Sequence, residues 1–133
     1  MGGLATSQLL LMVVLLAHTI DHEINQPARS VPGLAGVAAG LGFALLALGA
    51  ILAVRGHPRA PEVALLAGVG TIAGFVVVHL LGDWTPLSDP YWDFDANAIN
   101  WLLIALPMGV AGWVSLLAVG ELRGGEPNPA TAA

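Results

Sequence analysis

Cysteine is missing from this chain, and so is lysine. Without cysteine there can be no disulfide, no thiolate metal ligand and no Cys nucleophile. Without lysine, only four arginines stand against nine acids, for a net charge of -5. A nucleic-acid ligand is excluded on that ground, because phosphate binding needs clustered Lys and Arg. Charge of either sign is scarce: 10% of residues carry it, against about 25% in an average soluble domain. Most of the surface is therefore not made for water. Hydrocarbon takes its place, with 56% hydrophobic residues and a mean hydropathy of +0.80.

A membrane-spanning helix needs about 20 mostly apolar residues, and four segments qualify. They run over about 4–20, 31–54, 63–82 and 98–120, and together they predict one all-α transmembrane domain over 1–122. The linkers "DHEINQPARSVP", "RGHPRAPE" and "GDWTPLSDPYWDFDAN" each hold proline and charge. Residues 123–133, "RGGEPNPATAA", read as a disordered tail. The first segment reads as an uncleaved span. It has no basic residue before its apolar core and no small-x-small cleavage site after it, as a signal peptide would.

Short connections predict an antiparallel up-down four-helix bundle. Arg55, Arg59 and Arg123 would lie on one side, which the positive-inside rule makes cytoplasmic along with both termini; Arg29 alone dissents. Because lipid is as apolar as leucine, small residues should mark the packing seams. Gly36 and Gly40, Gly70 and Gly74, and Gly109 and Gly112 are the candidates. Pro107 in the last span frees the carbonyl of Leu103, and a kink is expected there.

The third linker has its own pattern. Asp89 followed by Pro90 reads as a helix N-cap and first position, so a helix is expected from Pro90 into the last span. Asp93, Asn97 and Asn100 would then share a face. Trp84, Tyr91, Trp92 and Trp101 cluster at one level and read first as an interfacial aromatic belt. If a cofactor or ring-bearing ligand binds there instead, Trp84, Trp92, Asn97 and Asn100 are its candidate contacts.

The most telling stretch is "AHTIDHEINQP" at the end of the first span. His18 and His22 are one turn apart and share a face, with Asp21 beside them; Glu23 points elsewhere. The third span ends "HLLGDW", which puts His79 and Asp83 four apart. Spans one and three run in the same direction, so the two pairs should meet at the outer face. His79 lies inside a span, where ionisable groups are rare and usually functional. Imidazole with carboxylate suits zinc or iron, and imidazole suits copper. The expected metal ligands are His18, His22, His79 and Asp83.

Several functions fit these residues. The first is a metal-dependent enzyme or metal-handling accessory, with Asp21 or Glu23 as the base for a metal-bound water. A b-type haem held by His18 or His22 with His79 is a second. A third is metal-free acid/base chemistry on a lipid-soluble substrate, whose sign would be an apolar cavity reaching the polar cluster. The fourth is a non-catalytic subunit that docks a larger membrane complex or a second copy of the chain. A structural network of hydrogen-bonded His and Asp is the plain alternative to all of them.

Overall fold

The structure is a computed structural model and describes residues 2–25, 33–93 and 95–124. It is all-helical, with no strand among the described residues. The helices are α1 (Gly3–Asn25), α2 (Leu34–Val54), α3 (Ala60–Phe75) and α4 (Ala98–Gly124). α3 continues without a break into a π-helical turn, Val76–Leu80. Gly3–Asn25, Leu34–Val54, Ala60–Leu80 and Ala98–Gly124 are each long and apolar enough to cross a membrane. The expected tail falls almost wholly at 125–133, outside the described residues, as does Arg29; α4 itself runs on to Gly124.

The helices form a four-helix bundle in which α1 and α3 are each flanked by α2 and α4. α1 and α3 touch only sparingly across the diagonal, and α2 and α4 make no contact among the described residues. The main core is built from small and branched side chains, among them Leu11, Leu46, Ala64, Ala111 and Val114. Large apolar residues such as Leu16, Leu41, Leu66 and Leu116 point outward. A bilayer suits that surface, whereas in water it would be one continuous sticky patch. The hydroxyls of Thr19, Thr71 and Ser115 bond to carbonyls one turn back, at 2.8–2.9 Å, so none competes for a partner in the apolar interior.

The caps follow from sequence. α2 ends in a Schellman motif at Gly56 (φ 62°): Gly56 N–H donates to Ala53 O and His57 N–H to Leu52 O. α4 begins later than the Asp-Pro pair suggests. Asn97 is its cap, with Oδ1 accepting from Ile99 and Asn100 N–H groups at 2.8 and 3.2 Å. In return Asn100 Oδ1 accepts from Asn97 N–H at 2.9 Å, a reciprocal capping box. The helix expected from Pro90 is therefore absent; residues 91–93 make only a turn, and the shared face of Asp93, Asn97 and Asn100 goes with it.

The glycine seams are also corrected. A Cβ at Gly36, Gly40, Gly70, Gly74, Gly109 or Gly112 would meet nothing within 4 Å. The close approaches are elsewhere. Gly68 lets α3 reach α4, where a Cβ would stand 2.7 Å from the Ala111 carbonyl, and Gly49 receives the side chain of Gln8.

Candidate functional site

The site forms where α1 and α3 finish. His18 and His22 leave α1 one turn apart, as their spacing requires. His79 comes from the π-helical turn. The three rings meet: centroids are 5.9 Å apart for His18–His22, 5.1 Å for His18–His79 and 5.8 Å for His22–His79. Phe75 packs on His18 at 4.7 Å and Tyr91 on His79 at 5.0 Å, giving the cluster an aromatic floor. The main-chain carbonyl of Leu103, which Pro107 leaves without its helical donor, lies near His18.

The fourth member is Asp89. Helix ends leave carbonyls without partners, and the chain after the π-helical turn folds back to satisfy them. Trp84 Nε1–H donates to Val77 O at 3.1 Å, Asp89 N–H to Val78 O at 2.8 Å and Tyr91 N–H to His79 O at 3.2 Å. The buried Ser88 hydroxyl tightens the loop by accepting from Trp84 and Thr85 N–H. Asp89 is thereby drawn inside, 1% exposed, with Oδ2 2.6 Å from His22 Nε2. That is an ion-pair contact without hydrogen-bond alignment, and neither carboxylate oxygen has a hydrogen-bond partner.

The loop also fixes a tautomer. His79 Nδ1 lies 2.9 Å from the Asp89 carbonyl oxygen. A carbonyl only accepts, so Nδ1 carries the hydrogen, and in the neutral ring Nε2 holds the lone pair. Metal-ligating histidines are commonly held in this way.

Asp21 is buried and committed. Its Oδ1 accepts from Asn25 Nδ2 at 2.9 Å and its Oδ2 from Asn100 Nδ2 at 2.8 Å, which ties α1 to α4. Glu23 is exposed at the rim of the cavity described below. Asp83 is exposed and lies outside the cavity lining. The i, i+4 relation with His79 assumed a helix through Asp83, but helical structure stops at Leu80 and Gly82 takes φ 78°. Trp84 and Trp92 are exposed, and neither they nor Asn97 and Asn100 line the cavity. Sequence reasoning missed Asp89, Tyr91 and Phe75 as neighbours of the histidines. No local signal marks Asp89, since only the loop's return brings it there.

A cavity of about 470 Å³ opens onto this cluster. Its walls are α1, α2 and α3, and small residues make the room: Gly36, Ala39 and Gly42 on α2, Gly70 and Gly74 on α3. Thus three of the glycines expected to close seams, Gly36, Gly70 and Gly74, hold one open. His18, His22, His79 and Asp89 stand at its polar end.

Among the described residues, no group of three or more His, Asp or Glu side chains is arranged so that it could hold a metal ion. What is built is a class of site: a buried His/Asp cluster closing one end of an apolar cavity in a membrane-compatible four-helix bundle. Neither protein-family models nor curated proteins nor solved structures match this chain.

Proposed function

We propose that this is a multi-pass cell-membrane protein that binds a transition metal through His18, His22 and His79. Asp89 stands behind His22 as its carboxylate partner. The convergence of three imidazoles from two helices supports it best, with centroids 5.1–5.9 Å apart. Zinc binds imidazole nitrogen at ~2.0–2.1 Å, which sets the rings of a tetrahedral site roughly 5 to 6 Å apart. The centroid spacing is of that order, and the donors reach one point only if the rings of His18 and His22 turn. The fixed tautomer of His79 adds to the case. Three ligands leave a position open for water or substrate, as in catalytic zinc sites. In that arrangement the chain is a metal-dependent enzyme or a metal-handling accessory.

In this reading the helices cross the bilayer as an antiparallel up-down bundle. Arg55, Arg59 and Arg123 put both termini in the cytoplasm and the His/Asp cluster at the outer face. Elemental analysis of detergent-purified protein, wild type beside His18→Ala and His79→Ala, tests the site. Near-stoichiometric zinc, copper or iron in wild type, lost in both variants, supports one shared centre. No metal in wild type, even after loading, overturns it.

A further inference from the structure

The cavity has a body and a head, and the two ask for different chemistry. Its body runs along α2 from Ala35 to Leu45, about 15 Å at 1.5 Å per residue. Its volume falls within the ~300–1,000 Å³ of small-molecule sites. The walls there are mostly glycine, alanine, leucine and phenylalanine, and the hydroxyls of Thr19 and Thr71 already donate to the Leu15 and Ala67 carbonyls, so such a space does not favour water. The occupant of the body is therefore apolar and enters from the hydrocarbon phase.

The head is set by Asp89. Asp89 lines the cavity and is almost wholly buried; its Oδ2 lies against His22 Nε2, and its Oδ1 has no hydrogen-bond donor. A buried acceptor without a donor costs free energy until one arrives. A ligand with a carbonyl or ether head cannot supply it. An anionic head meets Asp89 and, at the rim, Glu23. A cationic head would have to cross hydrocarbon carrying its charge. A hydroxyl supplies the donor without adding charge.

We infer that the cavity binds a lipid-soluble alcohol, its apolar body between α1, α2 and α3 and its hydroxyl donating to Asp89. The site adjoins the proposed metal centre and shares Asp89 with it, but the inference rests on the cavity and does not need the ion.

The test uses the full chain in lipid nanodiscs, with a tetradecanol analogue carrying a mid-chain diazirine as the probe. Labelled residues are mapped by mass spectrometry, with chelator and again with zinc. The expected result is labelling at Ala39, Gly42 or Phe43, competed by tetradecanol and not by tetradecane. Gly70→Leu, which fills the cavity, and Asp89→Asn, which weakens the acceptor, should each cut labelling about tenfold. Thermal melts of both variants show whether the fold survives. If Gly70→Leu does not fold, Gly74→Leu fills the same space. Labelling spread over outward leucines such as Leu41 and Leu66, or competed equally by tetradecane, overturns the inference and makes the cavity a seat for acyl chains. Labelling that survives chelation while zinc fails to bind overturns the metal reading alone. Zinc binding with no cavity labelling overturns this one alone.

Discussion

Asn100 of α4 donates from Nδ2 to Oδ2 of Asp21 on α1 at 2.8 Å, a bond that closes 79 positions of sequence. The same Asn100 caps its own helix through Oδ1. One side chain thus starts α4 and fastens it beside the histidines.

Asn100→Ala removes both bonds and leaves Asp21 short of a donor. A hydrogen bond to a charged group contributes ~1.5–3 kcal/mol, while bonds between membrane helices average ~0.6 kcal/mol. The expected loss lies between, about 1–2 kcal/mol, read as a lower thermal midpoint in detergent. Asn100→Ala and Asp21→Ala should be strongly non-additive in a double-mutant cycle; additive losses would mean that the bond contributes nothing.

Metal affinity should separate the residues around the site. Removing a ligand, as in His18→Ala or His79→Ala, should cost more than the ~10–100-fold typical of groups behind the ligands. Asp89→Asn should fall within that range. Asp83→Asn should change nothing, because Asp83 is exposed and outside the cluster. Calorimetric titration with zinc reads all four.

Two glycines of one helix should behave oppositely. Gly68→Ala puts a methyl 2.7 Å from the Ala111 carbonyl and against the Ser115 hydroxyl. Overpacking of this kind costs about 1–3 kcal/mol. Gly74→Ala meets nothing within 4 Å and lines the cavity, so its melting should match wild type or exceed it.

These contrasts mark what could be read from sequence. Four apolar stretches of about 20 residues are a strong signal, and all four appear as helices long enough to span a membrane. His18 and His22 were legible because a helix turn fixes their shared face, and His79 because the third span brings its end to theirs. Asp89 was not legible. What draws Asp89 itself inward is backbone bonding, from Asp89 N–H to Val78 O and Tyr91 N–H to His79 O, which carries no residue code. Nor does sequence distinguish Gly68 from Gly74. Both sit in an apolar helix, and only the neighbour's position decides whether a glycine admits a backbone or leaves a space.

The π-helical turn makes the site a matter of winding. Its hydrogen bonds run five residues back rather than four, so each residue advances by less than the 100° of an α-helix, and His79 is its fourth residue. Were 76–80 wound as an ordinary α-helix with no residue changed, the imidazole would point from a different face of α3. All four site residues would still be present in the chain, yet the rings would no longer converge. Their convergence therefore depends on local winding, which a comparison of residue identities alone does not register.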